Sequence, residues 1–191
     1  GVELAEQELV LLLNNDVKPY PGAIEKLIYH FHDAKVFAVA CLENDPGTGR
    51  QSGKNVLYFQ RGLFMHRKAE DLKFGPTAWA TGGSAMFRKE MWLELGGFDR
   101  RYYPAYWEDI DLSFQARKRA WQVLFEPQAV VDHRHETTND SVFGQRKIRL
   151  MSWNNAVKFT QKNANFGQYL SFLFWRPYWW YQTWRLITNK N

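Results

Sequence analysis

Two hydrophobic periodicities alternate through the first fifty residues. "ELVLLL" is a continuous apolar run, the pattern of a strand buried on both faces. It stops at "NND", where Asn and Asp favour a turn. In "PYPGAIEKLIYHFHDA" the residues Ile24, Leu27, Ile28 and Phe31 recur at helical spacing behind Pro21, which suits the start of a helix. "VFAVACLE" is a second buried-strand run. Strand, helix and strand at this spacing predict a parallel βαβ unit.

The pattern then loosens. "NDPGTGRQSGKN" is a loop by composition, and "VLYFQRGLFMHR" predicts a hairpin around Gly62. "TAWATGGSAMFRK" predicts a strand interrupted by two glycines. "KEMWLELGGF" predicts a short helix ended by glycine. A helix follows over "EDIDLSFQARKRA", then one or two strands over "WQVLFEP" and "AVVDHRH". From about residue 141 the pattern is helical to the end, with a break expected at Pro177. The chain therefore divides into an α/β portion, residues 1–140, and a helical, aromatic-rich extension, residues 141–191. No internal repeat appears.

Composition narrows the class. At 191 residues, 45% hydrophobic and 24% charged, the chain is long enough to bury a core and is not disordered. The aromatic share of 17%, with nine Trp, suits a core together with a surface that stacks on sugars, lipids or bases. A net charge of +5 favours an anionic partner without choosing one. Cys41 is the single cysteine, so no internal disulfide forms, and no Cys/His spacing suggests structural zinc. The start has no signal-peptide pattern and no apolar run reaches the ~20 residues of a spanning helix. A soluble or peripheral cytoplasmic protein is the expectation.

Four short stretches carry chemistry. Asp16 of "NND" ends a strand, and strand-end carboxylates of open α/β sheets face the ligand crevice. There a carboxylate can hold Mg²⁺ or Mn²⁺ against phosphate; an ordinary turn aspartate is the alternative. "YWEDIDL" (residues 106–112) places three carboxylates in four positions. Asp109 lies in the first turn of its helix, where the dipole favours an anion and a general base must be anionic. Glu108 and Asp111 are three apart and share a face on which partners can be held; helix-start acids without a function are the alternative. In "VVDHRH", His133, with His135 second, can ligate a Mn²⁺-type ion or serve structure alone. Gly82 and Gly83 of "TGGS" permit a bend or close backbone approach to a ligand, and the stretch is not a P-loop.

Taken in order, "LLLNNDV", "PGAIEKLI", "TGGSAMFRKEMWLELGGFDRRYY" and "YWEDIDLSFQARKRAWQVLFEPQAVVDH" resemble the family 2 glycosyltransferases of the GT-A fold, rhamnosyltransferase-like branch, over roughly residues 1–160. The resemblance implies a GT-A-like mixed α/β sheet with flanking helices, an incomplete Rossmann-like half. It implies inverting transfer from a nucleotide-diphosphate sugar to a saccharide or lipid-linked acceptor hydroxyl, in cell-surface polysaccharide synthesis. By the resemblance Asp16 and His133 bind a divalent cation, Mn²⁺ or Mg²⁺, beside the diphosphate, with Asn14 adjacent. Asp109 is the base; Trp107, Glu108 and Asp111 line and position the acceptor; Gly82 and Gly83 lie near donor sugar and acceptor. "NND" lacks the first Asp of a strict DxD motif. Family members begin with further strands that hold base and ribose, and this chain starts after them, so it is expected to bind donor weakly and to be weakly active or inactive alone.

Two other classes remain for comparison. A nucleic-acid binder fits the charge and the rings, but the basic residues are scattered and no recognition motif appears, so no nucleic-acid partner is expected. "FLFWRPYWWYQTWRLITNK" mixes Trp and Tyr with Arg and Lys, as interfacial segments do. Packing of these rings on the domain is the simpler expectation; peripheral contact at the inner face of the plasma membrane, with or without catalysis, is the alternative.

Overall fold

The protein is described here by a computed structural model, which covers residues 1–133 and 144–188. The chain forms two compact units: Gly1–Val56, Arg67–Asp99 and Glu108–His135 make the first; Leu57–His66, Arg100–Trp107 and Glu136–Asn191 make the second.

The first unit is built on a mixed sheet. Its strands are β1 (Leu9–Leu13), β2 (Val17–Pro19), β3 (Val36–Asn44), β4 (Gln51–Ser52), β7 (Gly75–Pro76), β8 (Ser84–Arg88) and β9 (Gln122–His133); β5 and β6 belong to the hairpin described below. The main path runs β1-β8-β3-β9-β2, with β4 beside β3 and β7 beside β9. β3 and β9 pair in parallel, whereas β8 is antiparallel to both β1 and β3. The expected parallel unit of β1, α1 (Ala23–Tyr29) and β3 thus forms with β8 inserted between its two strands.

β3 explains its own apolar run. Ala38, Ala40 and Leu42 join one core with α2 (Lys89–Leu95) and α3 (Glu108–Lys118), through Met91, Trp92, Leu112 and Ala116. Val36, Val39 and Cys41 join another with Ala23, Leu27 and Phe31 of the α1 side. Both faces are covered, so both parities are apolar. β1 departs from the expectation of burial on both faces. It ends the path with β8 as its paired neighbour, and its residues are half-buried, with Leu13 exposed. The predicted glycine-interrupted strand is also shorter: pairing begins at Ser84, after the glycines.

The hairpin of β5 (Asn55–Gln60) and β6 (Leu63–Lys68), of which Leu57–His66 belongs to the second unit, turns at Arg61 and Gly62, both with positive φ (49° and 79°). That is the backbone such tight hairpins need. Gly62 is also required sterically, since a Cβ there would lie 2.7 Å from the Phe172 Cα. Two helices follow, α4 (Gln145–Asn163) and α5 (Phe166–Thr188). The Arg61 guanidinium sits over the Tyr178 ring at 5.3 Å and donates to its hydroxyl at 2.9 Å. The expected break at Pro177 is absent. A proline removes one helical hydrogen bond, yet α5 runs through it. The interruption falls instead at Ala164–Asn165. There the Asn165 side chain accepts from the Gln168 N–H (2.9 Å), and the Gln168 side chain accepts from the Asn165 N–H (3.0 Å). This reciprocal capping box starts a new helix.

Candidate active site

The carboxyl ends of β1, β3 and β9 and the start of antiparallel β8 meet at one edge of the sheet, as the pairs Leu13↔Ser84, Asn44↔Asp132 and Val17↔His133 show. This is the edge at which open α/β sheets bind ligands. Asn14 and Asp16 follow β1, and His133 ends β9. The His133 Nε2 lies 3.7 Å from the Asp16 carboxylate, and its Nδ1 lies 3.2 Å from Glu43. Glu43, at the end of β3, is 3% exposed. It accepts hydrogen bonds from Ser84 (2.5 Å), Ser52 (3.1 Å) and Thr81 (3.4 Å). Interaction with Glu43, then with Asp16, outweighs burial and holds the His133 imidazole above its ordinary pKa.

Whether these residues suit a divalent cation is decided by their arrangement. Among the described residues no three His, Cys, Asp or Glu side chains form a metal cluster. Asp16 and His133 nonetheless stand within the span that two ligand bonds of about 2.1 Å can bridge. Glu43 on Nδ1 leaves Nε2 toward Asp16, the outer-shell pattern that fixes a ligating histidine. The pair fits a cation whose remaining ligands would have to come from phosphate and water.

The loop Thr81–Ser84 ties this pair to the carboxylates of α3. Thr81 and Ser84 hold Glu43. The Gly83 carbonyl accepts from the Asn14 N–H at 2.9 Å, and a Cβ on Gly83 would lie 2.4 Å from the Asn14 side chain. The Gly82 N–H donates to the Asp109 carboxylate, and a Cβ on Gly82 would press on the Phe98 ring at 2.8 Å. The buried Ser113 of α3 accepts from the Ala80 N–H at 3.2 Å, fixing the loop's start to the same helix.

Asp109 is half-buried, and Asp111 is buried with its carboxylate accepting from Gln115 at 3.2 Å. Burial, then the neighbouring Glu108 charge, pushes the Asp109 carboxyl up to about 7; the N–H groups of Ile110 and Gly82 pull against this. Burial likewise raises Glu108. Among the described residues its Oε2 is buried without a hydrogen-bond partner.

In the second unit, Trp107 is buried, with its indole N–H directed at Ser152 Oγ (3.3 Å) and His66 edge-on at 5.1 Å. Tyr106 and Trp107 both have positive φ (75° and 79°), which costs a non-glycine residue about 1–3 kcal/mol. The turn is held by the buried Asn155 of α4, whose amide donates to the carbonyls of Tyr102, Ala105 and Tyr106 at 3.1, 3.0 and 2.9 Å. Sequence reasoning passed over Glu43, Thr81, Ser84 and Asn155. A carboxylate closing an apolar strand was the available signal for Glu43; nothing marked Asn155. His135 lies outside the described residues.

The mixed sheet, with Asp16 and His133 at one edge and the raised carboxylates tied to it through Gly82, has the GT-A fold. Its backbone superposes on the crystal structure of GalNAc-T7 with UDP, GalNAc and Mn²⁺ with a TM-score of 0.63 at 14% identity, over 84% of this chain and 32% of that one. Residues 1–153 match the family described as glycosyltransferase like family 2, and the chain belongs to it. Among characterised relatives, it is 36% identical over 67 residues to N-acetylglucosaminyl-diphospho-decaprenol L-rhamnosyltransferase of Mycobacterium tuberculosis, a match covering 34% of this chain and 22% of that protein. It is 27% identical over 139 residues to pre-mycofactocin glycosyltransferase of the same organism, covering 72% of this chain and 29% of that protein. Each match thus covers less than a third of the relative's length.

Proposed function

We propose that this chain is the cation- and acceptor-binding part of an inverting glycosyltransferase. Its donor would be a nucleotide-diphosphate sugar, and its acceptor a saccharide or lipid-linked hydroxyl of a cell-surface polysaccharide. The observation that carries this reading is the Thr81–Ser84 loop. One four-residue segment bonds Glu43 behind His133, the backbone of Asn14 and the carboxylate of Asp109. The family match and a relative whose name gives a lipid diphosphate acceptor support it.

In this reading Asp109 takes the proton of the acceptor hydroxyl as its oxygen bonds to the anomeric carbon. The bond from that carbon to the nucleoside diphosphate breaks on the opposite face, which inverts the centre. A carboxyl near the working pH is well matched to this task. Asp16 and His133 would hold Mn²⁺ or Mg²⁺, with Asn14 beside the diphosphate. The cation supplies charge stabilisation for the departing diphosphate. Gly82 and Gly83 keep the loop thin enough for sugars to approach, and Glu108, Asp111 and Trp107 are assigned to the acceptor.

The test is Asp109→Asn in a chain extended to the full length of its relatives. Transfer should fall by about 10²–10⁴-fold, the contribution of a positioned base, with donor binding retained. Turnover like that of the unchanged enzyme would overturn the assignment.

A further inference from the structure

Charge is distributed unevenly along the chain. All twenty acidic residues lie at or before Asp140, whereas eight of the twenty-five basic residues follow it. The first 140 residues therefore carry a net −3 and the last 51 a net +8. α4 and α5 bring Arg146, Lys147, Arg149, Lys158, Lys162, Arg176 and Arg185 without one carboxylate to offset them.

α5 also has two apolar faces. One is used within its own unit: Phe172 is buried, Tyr178 meets Arg61, and the Trp179 indole donates to the Arg61 carbonyl. The other faces solvent. Phe166, Leu170, Phe174, Trp180, Tyr181 and Trp184 are 80%, 50%, 77%, 75%, 50% and 52% exposed. At about 100° per residue they fall within an arc of roughly 120°, along about 27 Å of helix. Arg176 and Arg185, both exposed, lie just outside opposite edges of that arc. Scattered exposed rings are ordinary; a continuous stripe marks an interaction site.

We propose that this stripe of α5 lies flat on an anionic lipid bilayer surface. Trp and Tyr join an apolar ring to a polar edge and collect at the headgroup level. Arginines on either flank reach lipid phosphates while their stems stay against the apolar stripe. No described helix is long and apolar enough to cross a membrane, so the contact is parallel to the surface. A second copy is disfavoured as the occupant, because stripe-to-stripe pairing would bring two carboxylate-free basic segments together. The proposal does not depend on the transfer reading.

The test is flotation of the purified 191-residue chain with phosphatidylcholine vesicles, and with vesicles containing phosphatidylglycerol at about three in ten, at low and high salt. Expected are flotation with the anionic vesicles alone, a blue shift of Trp emission, and release by salt. Arg176→Glu with Arg185→Glu should weaken binding at least tenfold, as should Trp180→Ser with Trp184→Ser. Far-UV circular dichroism should stay unchanged in both, since these side chains are exposed. Equal binding to neutral and anionic vesicles, no flotation, or binding unaffected by either pair of changes would overturn the proposal. So would concentration-dependent self-association lost in the tryptophan variant without vesicle binding, which would assign the stripe to a second copy.

Discussion

In the proposed reading Asp109 joins function and stability with opposite signs. Its folded pKa, about 7, stands above the ordinary carboxylate value because burial and the Glu108 charge penalise the anion. The folded protein therefore holds a proton that the unfolded chain has released between roughly pH 4 and 7. The contribution of this group to stability is intact below pH 4, is lost as pH rises through that window, and stays lost above it. Asp109→Asn should accordingly raise the melting temperature by a few degrees at pH 8, with the gain disappearing near pH 4. Thermal denaturation at both pH values checks this. In that reading activity should run the other way, rising with pH until Asp109 is ionised. Glu43 is the other decisive residue. Glu43→Gln keeps an oxygen near Ser84 but removes the anion behind His133 Nδ1. A 10–100-fold weaker Mn²⁺ affinity is expected, the usual consequence of losing an outer-shell partner, read by calorimetric titration of the upstream-extended chain with nucleoside diphosphate present. The placement of Asp16, Asp109 and His133 at element ends was legible because each is polar where a strand or helix changes course. Glu43 was not, because the apolar rhythm of β3 absorbed it; its significance arises from β8 and β9 reaching it across the sheet.

Elements were legible where local chemistry decides them and obscure where pairing does. The glycine after α2, the Gly62 hairpin and the β3 run follow from φ, turn type and two-sided burial. β1 shows the reverse case, since a continuous apolar run says nothing of whether a strand is central or at a sheet end. The insertion of β8 between β1 and β3 depends on pairing between residues distant in sequence, beyond the reach of periodicity. At the C-terminal end the helix passes through Pro177, and the break falls instead at the capping box of Asn165 and Gln168. Asn165→Ala should lower stability by about 1 kcal/mol, a typical capping loss, measured by chemical denaturation. The glycine loop gives a sharper test. Gly83→Ala would place a methyl group 2.4 Å from Asn14, and crowding of this kind costs about 1–3 kcal/mol. Since Asn14 must yield, Mn²⁺-dependent nucleotide binding should weaken along with the melting temperature. An alanine at Gly47, whose Cβ would meet only an oxygen of the half-buried Asp45 at 3.3 Å, should leave nucleotide binding unchanged.

For the whole molecule the candidate site is an edge of a sheet whose β1 strand is half-buried and apolar, in a chain whose matches cover less than a third of its relatives' lengths. In the proposed reading the described residues offer positions for a cation, a diphosphate and a base, and the resemblance assigns nucleobase and ribose contacts to strands that precede them in the family. Thermal shifts with UDP, GDP, dTDP and CMP, each with and without Mn²⁺, should separate these parts when this chain is run beside one extended upstream. A ligand that binds only the folded state adds RT ln(1 + [L]/Kd), about 2.7 kcal/mol at a hundredfold excess over Kd. One nucleotide should stabilise the extended chain in a Mn²⁺-dependent way and leave the 191-residue chain nearly unmoved, naming the donor base. Equal shifts in both chains would show that the sheet edge described here binds the nucleotide unaided and would overturn the division of labour. No shift in either would overturn the transferase reading, and because the lipid contact of α5 requires no nucleotide, vesicle flotation of the same samples would still decide that proposal on its own terms.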